Sequence, residues 1–189
     1  MILPIYAYGN PVLKKKAAPV PEDYPDLQGL VDNMWETMYA AEGVGLAGPQ
    51  VGLNLRIFLI DTTILEDADA EVEGIKQAFI NAQKIEEGGA EWDYQEGCLS
   101  IPDVTGDVRR PAQIKLRYCD TQFNEYERIF TGMEARVIQH EYDHIEGILF
   151  TELLKPLKRR MVRKRLENIK KGNISVKYKM KFADRKSVV

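Results

Sequence analysis

A chain of 189 residues, 44% apolar and 29% charged, fits one globular domain with a sizeable core, without internal repeats or low-complexity tracts. No apolar run approaches the roughly 20 residues needed to cross a bilayer, and the opening Met1–Tyr6 has no signal- or transit-peptide character, so a cytoplasmic protein without membrane contact is expected. The net charge of −3 is uneven: residues 155–189 carry 14 Lys and Arg against Glu167 and Asp184, a net of +12, which leaves −15 on the rest.

Residues 24–41 read as a first long helix, with Leu27, Leu30, Val31, Met34, Met38 and Tyr39 at helical spacing and Gly43 suited to stop it. A glycine-rich loop, 43–50, follows. Residues 54–61 read as a buried strand, and 76–87, 103–109, 113–119 and 124–130 as further strands rich in Ile, Val, Tyr and Phe. Thr131 and Glu134 have the spacing of a capping box that opens a second helix. Ala135, Val137, Ile138 and Ile145 give that helix apolar faces, and Gly147 suits its end. A last helix spans roughly 153–171, with Leu157, Met161, Val162, Leu166 and Ile169 expected to face the body; an alternating segment, Ile174–Tyr178, follows. Strand runs between separated helices imply an α+β fold. Its mostly antiparallel sheets would surround a central helix carrying the histidines, flanked by an N-terminal helix and a basic C-terminal helix.

Only two histidines occur, within His140-Glu141-Tyr142-Asp143-His144. Four residues along a helix advance about 400° and about 6 Å, so both imidazoles project from one face. Two neutral imidazoles so placed can bind one divalent metal, with Glu141 near enough to handle protons on a water that the ion activates. The third ligand must then be Cys, Asp or Glu. Gly147 matches the glycine of the extended three-histidine motif, but Phe150 stands where its last histidine would be, which excludes that site. Glu167 is the candidate for a following-helix glutamate, as in a metalloprotease, yet it lies among Arg163, Lys164, Arg165, Lys170 and Lys171 and reads as their surface partner. Cys98, in Glu96-Gly97-Cys98-Leu99-Ser100, is better placed: Gly97 lets the backbone approach closely, and Cys-His-His leaves an open catalytic position. Cys119 has no companion motif and reads as packing; two cysteines do not make a disulfide framework here. A metal-stabilised binding module without catalysis is the third reading.

Three segments together resemble the peptide deformylase family: Gly43-Val44-Gly45-Leu46-Ala47-Gly48-Pro49-Gln50, Glu96-Gly97-Cys98-Leu99-Ser100 and Gln139-His140-Glu141-Tyr142-Asp143-His144. Asn10-Pro11-Val12-Leu13 is also like the family's opening, so the likeness covers roughly residues 1–150 as a catalytic domain, with 151–189 a basic extension of the same domain. The resemblance implies removal of the formyl group from the N-terminal formyl-methionine of new bacterial proteins. It places the metal on Cys98, His140 and His144 and the catalytic acid–base on Glu141. Gln50 and the Leu99 backbone N–H become donors to the formyl oxygen, and Val44, Gly45, Gly97 and Val137, with Leu99, become substrate-binding positions. It favours Fe²⁺, replaceable by Zn²⁺, Ni²⁺ or Co²⁺; thiolate and imidazole alone suit iron or zinc equally.

The chain departs from the family pattern at Gly48, where alanine is commoner, and at Thr105, where many relatives place a substrate-contacting arginine; Arg109 or Arg110 could serve instead, and the sequence does not choose. Asp143 reads as a surface carboxylate rather than an orienter of a histidine. The segment 155–171 carries nine Lys and Arg against Glu167, which suggests either a solvated face or a surface that binds ribosomal RNA near emerging chains.

Overall fold

The computed structural model describes residues 1–65 and 73–184; the last five residues of the expected basic extension lie outside that range. The first helix, α1 (Leu27–Ala40), is shorter at both ends than the expected 24–41. Asp26, in a left-handed conformation, caps it by accepting the Gly29 N–H at 3.1 Å. At its far end the left-handed residue is Glu42 (φ +59°) rather than Gly43, whose N–H closes the helix on Met38 O at 2.9 Å.

A five-stranded antiparallel sheet runs in the order β2 (Gly45–Ala47), β3 (Ile57–Asp61), β4 (Lys76–Cys98), β5 (Ile101–Cys119) and β6 (Glu125–Thr131). β2 lies inside the segment read as a loop, and β3 begins three residues later than expected. β4 continues past residue 87 through Gly88 and Gly89, where the pairing with β5 shifts register. The strands expected at 103–109 and 113–119 are one, because Pro111 sits beside that irregularity and its missing N–H interrupts no regular ladder. Near the end of the hairpin, residues 102–105 bow out against the single residue Gly97.

The second helix, α2 (Gly132–Ile145), packs on β2, β3, β5 and β6. Thr131 occupies its N-cap but makes no side-chain cap bond, so the capping box is not formed; Thr131 is the last paired residue of β6, and Gly132 enters the helix with φ +58°. Gly147 does end α2: at φ +75° it lets Ile148 N–H reach Asp143 O at 2.9 Å. The third helix, α3 (Pro156–Lys171), packs on β5. Only Val162 and Ile169 of its apolar positions are buried, with Leu166 partly covered. Leu157 and Met161, 64% and 68% exposed, lie off that narrow i, i+4, i+7 stripe instead of facing the body. The Ile174–Tyr178 segment forms no strand. Pairing comes just after it, where β7 (Met180–Lys181) runs parallel to β1 (Ile5–Tyr6).

Three apolar clusters hold these layers. One, between α2 and the sheet, centres on Phe79, whose ring lies 4.8 Å from Phe58, 4.6 Å from Tyr118 and 5.7 Å from Phe130. A second joins Leu13, Ile101, Val108, Leu149 and Phe150 to α3, and a third seats α1 on Leu46, Ile57 and Leu59. Phe79→Ala is expected to cost about 3–5 kcal/mol in urea unfolding, whereas Leu157→Ala should stay within about 0.5 kcal/mol.

Candidate active site

α2 enters the protein with Glu141 and His144 buried and His140 nearly so, and its two imidazoles lie 5.1 Å apart, centroid to centroid. Cys98, the last residue of β4, meets them: its Sγ is 3.4 Å from His144 Nε2, and one donor atom from each of the three lies within 4.8 Å of the others. The structure therefore brings together the three residues expected to share a metal. Glu167 is exposed on α3 and lines a separate groove with Arg159 and Arg163, away from the histidines. Cys119 packs against the α1 cluster, and burial pushes its thiol up.

Glu96, two residues before Cys98, has a role that its sequence position does not disclose. It is 6% exposed and accepts from Arg110 Nε (2.8 Å) and Nη2 (3.0 Å), from Arg136 Nη1 (2.9 Å), and pairs with His140 Nδ1 at 2.9 Å. Burial alone would raise its pKa; the hydrogen bonds from His140 and Arg110 and their charges hold it well below the usual carboxylate range. Arg110 also donates to Asp143 at 2.7 Å. Asp143 is thus partly buried and paired, not a surface carboxylate as expected, and burial pushes its pKa up despite Arg110. Arg110 is committed to this network, and Arg109 is exposed against Glu91 and Asp93, so neither lines the cleft in place of the missing arginine. Arg136 was missed as well. Its signal was a charge set among Ala135, Val137 and Ile138 on a helix face that had to be buried; it donates to Trp92 O and Val108 O and lies over the Trp92 ring.

The Glu96 contact leaves His140 Nε2 as the nitrogen available to a cation. Burial pushes the His140 imidazole down, but hydrogen bonds to Cys98 and Glu96 outweigh it and hold it well above its ordinary value. His144 is driven well below by burial and by the neighbouring His140 and Arg110 charges. Burial and the Glu96 and Asp143 charges, against His140 and Arg110, push Glu141 up to about 7. Glu141 Oε2 is buried with no protein partner. One thiol and two imidazoles make a three-donor set that fits a catalytic cation with an open fourth position, and the unpartnered Glu141 oxygen is left for a proton rather than for the ion.

The other expected residues surround this group. Gln50 sits in a short 3-10 turn, Gly48–Val51, 1% exposed. Its Oε1 accepts the Ala47 N–H at 2.9 Å, which turns Nε2 toward Cys98 Sγ (3.4 Å) and Ser100 Oγ (3.3 Å). Gly45 packs directly on Glu141, and a Cβ there would overlap the carboxylate. A cleft of about 450 Å³ is lined by Val44, Gly45, Gln50, Gly97, Leu99, Val137, His140 and Glu141, together with Tyr94, Met133, Thr105 and Tyr178, to which the sequence assigned no lining role.

The family model described as polypeptide deformylase matches residues 2–160. A peptide deformylase from Christiangramia forsetii is 53% identical, covering 98% of both chains, and one from Flavobacterium johnsoniae is 50% identical, covering 97% of both. Among solved structures, a peptide deformylase from Legionella pneumophila superposes with a TM-score of 0.78 at 35% identity, covering 92% of this chain and 98% of that one. A mutant of the Arabidopsis thaliana peptide deformylase 1B gives 0.80 at 28% identity, covering 94% and 98%. Fold and site together define a metal-dependent hydrolase of α+β architecture. The chain belongs to the polypeptide deformylase family, enzymes that deformylate nascent peptides. Because Glu96 neutralises two buried arginines, Glu96→Ala is expected to cost about 3–5 kcal/mol in denaturant unfolding.

Proposed function

We propose that the chain hydrolyses the N-formyl group of formyl-methionine at the start of new proteins and releases formate. The observation that carries this reading is the convergence of Cys98, His140 and His144 beside Glu141 in one cleft. Cys98, His140 and His144 would hold a divalent cation, which when bound would supply Lewis acidity and lower the pKa of water toward neutrality. Fe²⁺ is the resident ion in this reading, with Zn²⁺, Ni²⁺ or Co²⁺ able to replace it; the thiolate and imidazole donors suit this series.

Glu141 takes the proton from the attacking water and returns it to the departing amine. Its burial and its setting between opposed charges support a proton affinity near neutrality. The formyl oxygen gains negative charge as attack proceeds, and Gln50 Nε2 and the Leu99 N–H donate to it from fixed positions. Gln50 can do this because Ala47 already occupies its carbonyl oxygen. Val44, Val137 and Leu99 offer apolar contact to the methionine side chain, and Gly97 lines the same cleft. Gly45 lies on β2, the outermost strand of its sheet among the described residues, so the substrate backbone can pair along that edge at Gly45.

Residues 1–150 form the catalytic domain in this reading, and 151–189 an extension of it. Among the described residues no helix is long and apolar enough to cross a membrane; with bacterial relatives this supports a bacterial cytoplasmic setting. The exposed basic face of α3 suits ribosomal RNA beside emerging chains, through counterion release. Charge reversal at Arg159, Arg160, Arg163 and Lys164 is expected to reduce ribosome co-sedimentation, and unchanged binding would sink that assignment. For the chemistry, anaerobically purified, iron-loaded protein should release formate from a formyl-Met peptide. Cys98→Ala should lose both metal and turnover, Glu141→Ala should keep metal but slow about 10²–10⁴-fold, and Glu167→Ala should match wild type. Metal retention and activity in Cys98→Ala, with loss in Glu167→Ala, would overturn the ligand assignment.

A further inference from the structure

The C-terminal tail lies beyond the segment matched by the family model, residues 2–160, yet it returns to the cleft. After α3 ends, the chain runs back to place β7 beside β1. Ile5 N–H donates to Lys179 O at 2.9 Å, Ala7 N–H to Lys181 O at 2.9 Å, and Asn10 Nδ2 to the same Lys181 oxygen at 2.9 Å. These bonds anchor the tail immediately after Tyr178.

Tyr178 is partly buried and lines the cleft, and its Oη donates to Leu99 O at 2.7 Å. Leu99 and Ser100 are the two residues that turn β4 into β5, between the paired Cys98 and Ile101. The second carbonyl of that turn is held as well, since Tyr8 N–H donates to Ser100 O at 2.8 Å. Both turn carbonyls are therefore fixed by groups outside the hairpin, one from each end of the chain. A turn of two residues has few free dihedrals, and pinning both carbonyls removes most of the remaining freedom of the Leu99 N–H. Burial, with the nearby Cys98 and Asp103 charges, pushes the phenol up, so it keeps its proton and remains a donor across the neutral range.

We infer that Tyr178 is a positioning residue of the deformylase site, holding the Leu99–Ser100 turn so that the Leu99 N–H stays aimed at the developing charge. The inference rests on the role proposed above for Leu99. Donors of this kind accelerate a reaction only when they need no reorganisation as charge appears, so a looser turn should slow turnover without weakening substrate binding.

Tyr178→Phe in the full, ion-loaded chain removes only the hydroxyl. The expected result is a kcat about three- to ten-fold lower, KM within about two-fold of wild type, and a melting temperature lowered by no more than about 4 °C. Amide hydrogen exchange across residues 97–101 reads the turn without any turnover and should be faster in the variant. Unchanged exchange overturns the inference, and so does faster exchange with unchanged kcat. A larger drop in melting temperature, with kcat and KM both altered, assigns Tyr178 a merely structural role and also overturns it. If wild type releases no formate while Tyr178→Phe still loosens the turn, the hold on Leu99 stands and the deformylase reading falls.

Discussion

Two guanidinium groups and an imidazole converge on the Glu96 carboxylate. Arg110 comes from the facing strand of the hairpin, Arg136 and His140 from the helix lying across it. A carboxylate taken out of water in isolation is costly by several kcal/mol, and so is each guanidinium; together, with good geometry, they become tolerable. That mutual dependence is a constraint as much as a stabilisation. α2 cannot slide or rotate against the β4–β5 hairpin without leaving at least one buried charge unpaired. The relative position of the helix that carries the histidines and the strand that carries Cys98 is fixed by this one group.

The consequences reach each working residue. Cys98 follows Glu96 by two positions, so whatever holds Glu96 holds the thiol. His140 gives its Nδ1 to Glu96, which directs Nε2 toward Cys98 and His144. One turn away along α2, Asp143 takes the remaining arm of Arg110, and His144 lies one residue further. From the other side, β2 approaches so closely that only glycine fits at position 45 against Glu141. Gln50, a few residues beyond, is turned into the site by a backbone N–H of its own loop. The apolar clusters supply the bulk of the stabilisation on either side: α2 is seated on the Phe79 cluster, and Cys98 packs against the one under α3. The site occupies the seam between them.

What could be read from the sequence follows from this division. The histidine pair, Glu141 and the helix that carries them were legible because a 3.6-residue period places them on one face without reference to any other part of the chain. Cys98 was legible by elimination, since no third histidine existed. The α+β class and the three α-helices followed from local pattern. Asp143 reads as a surface carboxylate and Arg110 as a candidate substrate contact because their actual partners are distant in sequence and meet only where α2 crosses the hairpin. The strand breaks expected near residues 87 and 110 had a local cause, glycines and a proline, that register shifts between paired strands absorb. Thr131 and Glu134 have the right spacing for a capping box, but the strand pairing of β6 extends to Thr131 and the helix begins on a left-handed glycine. The parallel pairing of β7 with β1 joins opposite ends of the chain, and no local pattern announces it.

The groups that do chemistry and the groups that hold them thus stand in different relations to stability. Glu141 and His144 are buried with a carboxylate oxygen and a ring nitrogen that find no protein partner, an arrangement that weakens the fold. Glu96, Arg110 and Arg136 are buried with nearly every polar atom engaged, although Arg136 Nε is an exception. The unpartnered Glu141 oxygen belongs to a side chain that lines the cleft, and His144 turns its other nitrogen, Nε2, toward Cys98. A site built this way can leave its reactive groups poorly solvated, with altered proton affinities, because their positions do not depend on their own hydrogen bonds. The rigidity comes from a carboxylate held by two arginines and His140, and it lets a short helical motif act with a thiol 42 residues before it in the chain.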